Sequence, residues 1–282
     1  MKRYLRILYP VLFILLALCC FLGLRYGSVT LTARQIYSAV LGLDGSESSR
    51  IILFSLRLPR VLAGLLAGAA LSSAGMLLQR VTDNGLCAPN IIGINSGAGF
   101  FVMLMLCFFP SYHSALAAAA FIGAASASAV VIMLSSYGRR MSKSTVILAG
   151  VALSSLFNAG IAALSTAFPD VLTSYTAFSV GGFSGVTVKQ LVFPSIMIAV
   201  SLIAAYLALP KLSLLSLGDA MAQSLGVKVK LLRVTILAIS ALLCAAVVSY
   251  AGLLGFVWHN KPHKTEKSGI RYNSCTQKRR YS

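Results

Sequence analysis

Two arginines three positions apart, Arg57 and Arg60, are the side chains in this sequence best suited to recognition chemistry. They belong to the segment Arg57-Leu58-Pro59-Arg60, which directly precedes a long apolar stretch. A guanidinium keeps its charge at physiological pH, and its planar fork can hold a carboxylate through two parallel hydrogen bonds. The pair is therefore suited to an acidic partner. The alternative is that both side chains extend to a membrane interface and anchor a helix end.

A second candidate is the segment Leu217 to Val227, LGDAMAQSLGV, which lies between two apolar stretches. Asp219 suits the start of a short helix, where a carboxylate meets the positive end of the helix dipole, and Gly226 suits the end of that helix. The pattern predicts a short amphipathic helix. Such a helix is either a contact element for a soluble partner or an ordinary interfacial helix.

The sequence lacks the residues that acid–base and metal chemistry in a membrane require. Only six residues are acidic, and none of them lies inside an apolar stretch: Asp44, Glu47, Asp83, Asp170, Asp219 and Glu266. Ion-coupled carriers and intramembrane metal sites depend on carboxylates or histidines at membrane depth. The pattern G-x-x-x-x-G-K-[ST] is also missing, so any nucleotide hydrolysis must come from another chain. We therefore expect no catalytic residue, no metal site and no cofactor.

The apolar stretches define the class of protein. Hydrophobic residues make up 58% of the 282, too large a share for a water-soluble surface. A helix needs about 20 apolar residues to cross a hydrocarbon core of ~30 Å. Seven segments qualify, at 7–24, 60–80, 91–109, 115–136, 145–166, 190–209 and 231–252. We predict an all-α, multi-pass membrane protein, with the first segment retained as a helix rather than cleaved as a signal peptide.

Basic residues predict the orientation of these segments. With the amino terminus inside, the cytoplasmic parts carry eleven Lys and Arg, and the external connections carry six. An excess of basic residues marks the cytoplasmic side. The net charge of +18 is therefore interpreted as a set of orientation signals, and no nucleic-acid partner is expected.

Small residues recur at four-residue spacing inside the apolar stretches. The pairs are Gly64 and Gly68, Gly93 and Gly97, and Gly150 and Ser154. In lipid no hydrophobic force draws helices together, so close backbone approach through small residues provides much of the contact. The spacing predicts a tightly packed bundle.

The order of these motifs resembles the FecCD/BtuC-like family, the permease subunits of bacterial ABC importers for iron(III)-siderophores, haem and cobalamin. The resemblance covers residues 1–257. It rests on the family patterns R-x-P-R, G-x-x-L-x-x-x-G-x-x-x-Q and N-P-L-x-x-P-x-x-L-G, which this chain matches at 57–60, at 68–79 and from Asn84 onward. One departure is Gly85, which stands where the family has proline.

The resemblance implies a BtuC-like ten-helix bundle, of which about seven helices are present here, in a bacterial cell membrane. It implies a second permease subunit, identical or paralogous, two cytoplasmic ABC ATPase subunits and an external substrate-binding protein. Substrate would pass unchanged between the two permeases. Iron(III)-siderophore complexes are favoured as cargo, while haem and cobalamin stay open. The stretch 168–185 resembles the family's re-entrant external segment.

The resemblance also implies roles for particular residues. Arg57 and Arg60 would dock the binding protein. The segment that couples to the ATPase would contain Leu217, Gly218, Asp219, Ala220, Leu225 and Gly226; many members have Glu at the position of Ala220. The cytoplasmic gate would contain Asn84, Leu86, Ser144 and Thr145. Asn84 is equally suited to a turn, and Ser144 and Thr145 to a helix cap.

The composition changes at residue 258. From there to 282 the sequence has no Leu, Val, Ala, Phe or Met and carries seven of the 24 basic residues. We predict a permease domain over 1–257 followed by a basic, disordered tail, with the last three family helices lost through a shift of reading frame. The alternative is a genuine short variant whose tail is disordered or binds lipid. A truncated chain without transport activity is the rival to the permease function.

Overall fold

A computed structural model of the chain describes residues 2–27, 29–41, 47–85, 87–88, 93–112, 115–136 and 143–254. Within these ranges the chain is helical and contains no strand. The eleven α-helices are α1 Lys2–Arg25, α2 Ala33–Leu41, α3 Glu47–Ile51, α4 Leu58–Thr82, α5 Ile94–Phe108, α6 Leu116–Ser136, α7 Lys143–Ala167, α8 Leu172–Val180, α9 Val188–Leu215, α10 Asp219–Ser224 and α11 Val229–Ala251. A π-helical segment, Ile52–Arg57, joins α3 to α4.

In the part of the chain that the structure describes, six helical segments are long and apolar enough to cross a membrane, which confirms the predicted all-α, multi-pass class. They are Ile7–Arg25, Glu47–Thr82, Leu116–Ser136, Ser144–Ala167, Val188–Leu215 and Val229–Ala251. The seventh predicted span, 91–109, is only partly a helix, because Gly93 has a φ of 80° and α5 begins after it. The 15 residues of α5 rise about 22 Å, less than a hydrocarbon core of ~30 Å.

Helix α11 lies at the centre of the bundle. It packs against α4, α5, α6 and α9, and every residue from Leu243 to Ser249 is buried. A helix segment surrounded by protein needs no polar face, which suits the second half of α11, whereas Leu231 and Thr235 near its start are exposed. The apolar part of α1, by contrast, is unburied, as expected for a helix that contacts lipid.

Glycine brings α5 into contact with two neighbouring helices. A Cβ atom on Gly97 would stand 2.4 Å from the Cβ of Ala127 and 2.6 Å from the carbonyl oxygen of Gly123, both in α6. A Cβ on Gly93 would stand 3.2 Å from the Oγ of Ser154 in α7. Close packing through small residues is therefore confirmed for α5, α6 and α7. It is wrong for Gly68 in α4, where an added Cβ would meet no atom of the described residues within 4 Å.

The glycine contact between α5 and α6 can be tested by adding one methyl group. We expect Gly97→Ala to lower the free energy of unfolding by about 1–3 kcal/mol, since the added Cβ overpacks a backbone contact that cannot yield. The matched control is Gly68→Ala, which adds the same methyl group into open space and is expected to be neutral or to stabilise by up to about 1 kcal/mol. Thermal unfolding of the purified chain in detergent measures both. Equal midpoints for the two variants would contradict the packing described here.

Candidate functional site

Arg57, the last residue of the π-helical segment, points into the chain's own interior. It is 7% exposed. Its Nη1 donates to the carbonyl oxygens of Leu24 at 2.6 Å and Arg25 at 2.7 Å, and its Nη2 donates to the carbonyl of Val29. Carbonyls at the end of a helix lack intrahelical partners and carry the negative end of its dipole, so a cation there is stabilising. Arg57 therefore ties the end of α1 to the start of α4.

Arg60 lies in the first turn of α4 and is exposed. Among the described residues it has no hydrogen-bond or ion-pair partner. Although the two arginines are neighbours in sequence, they face different environments: Arg57 is occupied by backbone carbonyls, and Arg60 is open to an external partner. The docking role of the pair stays a prediction, and in this conformation Arg60 is its accessible member.

The first predicted gate residue, Asn84, lies in a tight turn after α4. Asp83 ends the helix in the left-handed conformation, with φ 49°. The amide of Asn84 donates to the carbonyl of Gln79 at 3.2 Å, and the amide of Cys87 donates to the carbonyl of Asn84 at 3.1 Å. Asn84 is half-buried here. The turn role expected for Asn84 is thus observed, and its gate role stays a prediction.

The remaining gate residues are less constrained. Ser144 and Thr145 lie in the first turn of α7, and both are exposed. Neither hydroxyl makes a hydrogen bond within the part of the chain that the structure describes. Leu86 lies outside the described residues. Close to these positions, burial raises the pKa of the Cys87 thiol, and a hydrogen bond with Thr82 partly offsets this effect. A deprotonated, reactive thiol is therefore disfavoured at this turn.

The short helix predicted in the coupling segment is present as α10. Gly218 precedes it with a φ of 97°, and Gly226 follows it with a φ of 82°. Such backbone angles favour glycine because it has no Cβ. Asp219 occupies the first position of α10, where its negative charge complements the helix dipole. The two glycines and the aspartate thus set both ends of this helix.

An ion pair fixes α10 to the central helix. Asp219 Oδ1 lies 2.9 Å from Arg233 Nη2, and Arg233 is 5% exposed. Arg233 is one of the eleven cytoplasmic basic residues that the sequence pattern indicated only as orientation signals. Its position one turn inside an apolar helix could have indicated an ion pair, because an arginine buried there requires a partner.

The coupling segment also presents an apolar surface. Leu217, Met221 and Leu225 are 61%, 55% and 55% exposed, while Ala220 between them is exposed as well. Ala222, on the inner side of α10, is fully buried. Exposed large apolar side chains grouped on one short segment are typical of an interaction surface.

The two candidate regions lie at opposite ends of the bundle. Lys230 Nζ donates to the carbonyl of Ser136 at 2.9 Å, so the start of α11, next to α10, lies beside the end of α6. At the other end, the hydroxyl of Tyr250 donates to the carbonyl of Ala63 at 3.1 Å, one turn from Arg60. Along α11, which spans Val229–Ala251, the rise from Lys230 to Tyr250 is about 30 Å. This arrangement agrees with an external Arg60 and a cytoplasmic α10.

Metal-ligating side chains do not cluster. In the described ranges, no three of the His, Cys, Asp and Glu side chains come together in a way that could hold a metal ion. The two ends of the bundle can take part in recognition, one through the exposed Arg60 and the other through the exposed apolar side chains of the coupling segment.

Comparison with known protein families identifies the family of this chain. The FecCD transport family matches residues 15–263. The chain belongs to the FecCD transport family. The match ends six residues beyond 257, at 263, so the boundary predicted at 257 stays a prediction. Residues 255–282, which include the predicted tail, lie outside the described residues.

Three curated relatives are similar to this FecCD protein over most of its length. The Fe(3+)-citrate import system permease protein YfmE of Bacillus subtilis is 30% identical, over 90% of this chain and 75% of the relative. The ferric enterobactin transport system permease protein FepD of Escherichia coli is 34% identical, over 90% and 76%. The hemin transport system permease protein HmuU of Yersinia pestis is 30% identical, over 92% and 78%.

A solved structure supports the same assignment at the level of the fold. It is an inward-facing conformation of a transporter described as being of the metal-chelate ABC type. It is 29% identical to this FecCD protein and superposes with a TM-score of 0.76, covering 89% of this chain and 77% of the other. The family resemblance stated from the motifs is thereby confirmed, and the chain is a multi-pass membrane transport protein.

Proposed function

We propose that this chain is the permease subunit of a binding-protein-dependent ABC importer that carries an iron(III) chelate, with a siderophore complex as the favoured cargo. The observation that carries the proposal is the family match over residues 15–263. The relatives are named for ferric citrate, ferric enterobactin and hemin, and the chemistry shared by these cargoes is iron held in an organic chelate.

The proposed division of labour follows from what the chain contains. It has no phosphate-binding loop, so a cytoplasmic ATPase partner supplies the energy and the chain itself is not an enzyme. A second permease, identical or paralogous, completes the pathway, and the chelate passes between the two unchanged. An external binding protein delivers it. Alternating access then consists of helix movements around a fixed route.

Uptake by the reconstituted system tests this function. The full chain is placed in vesicles with the ATPase, binding protein and any second permease encoded beside it. We expect ATP-dependent accumulation of iron supplied as a ferric siderophore. An ATPase variant that cannot hydrolyse ATP is the control. Accumulation of haem or cobalamin alone would mean that this compound, and not a ferric siderophore, is the cargo. No accumulation of any chelate by an assembled complex would favour the rival, a chain without transport activity.

We place binding-protein docking at the end of the bundle that carries Arg60. The exposed guanidinium of Arg60 can take a carboxylate from a partner without breaking any contact seen here. Arg57 would have to leave three carbonyl acceptors before it could do the same. We therefore propose that Arg57 stabilises the start of α4, which carries Arg60. Direct docking by Arg57 would require a different conformation, in which its side chain has left the three carbonyls.

Removal of the Arg60 charge tests the docking role. We expect Arg60→Ala to weaken the binding protein's affinity about tenfold or more, because a carboxylate on the partner loses its cation. The matched control is Arg34→Ala, which removes another exposed arginine from the external connection and should change the affinity little. Surface plasmon resonance on the detergent-purified chain measures both variants. An unchanged affinity in Arg60→Ala would exclude docking through this residue.

We place the ATPase contact on the apolar side chains of the coupling segment. Leu217 and Met221 project at the cytoplasmic end, and the Asp219–Arg233 ion pair holds the segment against α11. A short element that is rigidly held and apolar on its outer side can seat in a groove of a soluble subunit. Closure of the nucleotide sites would then pull on α11 through the same ion pair.

A charge placed on this surface tests the contact. We expect Met221→Asp to weaken ATPase binding about tenfold or more, since a carboxylate would be buried without a partner. Gln223→Asp is the matched control, because it adds the same charge at another exposed position of α10. Co-purification of the ATPase with each variant gives the result, provided that the thermal midpoint of the permease is unchanged. Equal loss in both variants would indicate a general charge effect and contradict this contact.

We place the cytoplasmic gate at Asn84, Leu86, Ser144 and Thr145. Support comes from the end of α4, where Asn84 lies in a tight turn, and from the start of α7, where Ser144 and Thr145 are exposed. Helices α4 and α7 are in contact, so a shift of one helix against the other can move the two groups of gate residues relative to each other.

A further inference from the structure

A groove of about 690 Å³ opens between α9 and α11 at the end of the bundle that carries the coupling segment. Its sides are apolar, with Leu207 and Ala208 on α9 and Leu231 and Ile239 on α11. Part of its wall is the end of the coupling segment, Leu225 to Lys228. The groove is therefore bounded both by membrane-spanning helices and by the segment assigned to the ATPase contact.

Two lysines give the groove a charged end. Lys211, near the end of α9, and Lys228, at the start of α11, both line it and both are exposed. Neither ammonium group has a hydrogen-bond or ion-pair partner among the described residues. None of the described residues that line the groove is acidic. Two unneutralised cations beside an apolar channel complement an anion that carries a long apolar chain.

The dimensions of the groove also match such a ligand. From Lys228 to Ile239, α11 rises about 16 Å. One leaflet of a bilayer contributes about half of a ~30 Å hydrocarbon core, or about 15 Å. The lysines lie beside α10, which faces the cytoplasm in the proposed orientation. The cationic end of the groove is thus at headgroup level, and its apolar length fits one leaflet.

We propose that this groove binds one anionic phospholipid of the cytoplasmic leaflet. Its phosphate lies between Lys211 and Lys228, and an acyl chain extends along Ala208 and Ile239. Because Leu225, Gly226 and Val227 contribute to the wall, the bound lipid holds the end of the coupling segment against α11. The content of anionic lipid in the membrane therefore regulates how firmly the coupling segment is positioned. The inference goes beyond the proposed transport function and takes from it only the orientation.

Binding of two lipids to the full chain tests the site. The detergent-purified, delipidated chain is titrated with phosphatidylglycerol and with phosphatidylcholine of identical acyl chains, and the bound forms are counted by native mass spectrometry. We expect about tenfold tighter binding of the first phosphatidylglycerol molecule, and a loss of this preference at high salt. The double variant Lys211→Gln/Lys228→Gln should bind the two lipids equally. Inorganic phosphate should not compete, since it has no chain to fill the groove.

Two further variants make the test specific to this groove. Lys189→Gln removes a lysine from a second apolar groove, of about 610 Å³, at the opposite end of α9, and it should keep the preference. Ala208→Trp fills the proposed groove without changing its charge, and it should lose the tightly bound lipid. Equal binding of both lipids by the unchanged chain, or a preference that survives the double lysine variant, would overturn the proposal. Neither result depends on transport, so the proposed function could stand or fail separately.

Discussion

Backbone contact between α5 and α6 at Gly97 and Gly123 is the constraint on which the bundle depends. Helices in lipid are held by close packing and by polar contacts rather than by the hydrophobic effect. Helix α5 is too short to be positioned by the bilayer alone, so its neighbours must position it. Gly97 faces α6 and Gly93 faces α7. Gly99 lies where a Cβ would stand 3.0 Å from the hydroxyl of Tyr175 and 3.3 Å from Leu253.

Polar contacts also hold α5 in place, in addition to the glycine contacts. The amide Nδ2 of Asn95 donates to the carbonyl of Leu254 at 3.2 Å, so the start of α5 is joined to the chain that leaves α11. Near the same place, the amide of Gly182 donates to the carbonyl of Ala251 at 2.7 Å. An unpaired backbone N–H or C=O group in a membrane interior costs several kcal/mol. Irregular segments are therefore tolerated there only when other protein groups form hydrogen bonds with their backbone. The irregular segments that follow α8 and α11 therefore stabilise one another.

Much of this fold follows from the sequence, because apolar length is a direct signal for a membrane-spanning helix. The ends of α10 were also predictable, since Asp219, Gly218 and Gly226 have local conformational preferences. The start of α5 was not, because an apolar run does not show where the backbone leaves the helix. The burial of Arg57 could not be predicted from the sequence either. Its acceptors lie 28 to 33 residues away in the chain, and no local pattern distinguishes it from Arg60.

The two buried arginines reveal how the ends of the bundle differ. Among the described residues, Arg57 is neutralised only by carbonyl dipoles, which hold α1 and α4 together without an acidic residue. Arg233 is paired with the carboxylate of Asp219, which lies on a separate short helix and is itself partly exposed. A carboxylate held by one partly exposed ion pair can be displaced more easily than three backbone carbonyls. The coupling end is thus the end at which a partner can change the contacts of a buried charge.

Helix α11 connects these two ends as a single buried element. At its start, Arg233 holds α10, and at its other end Tyr250 reaches the carbonyl of Ala63 in the same helix as Arg60. Interiors packed as closely as this one transmit a displacement instead of absorbing it. A force applied to α10 through Asp219 therefore reaches the start of α4 by way of α11, and from there the end of α1, which Arg57 ties to α4. Under the roles proposed for α10 and for Arg60, the two regions act on each other because the most buried of the described membrane-spanning helices has one of them at each end.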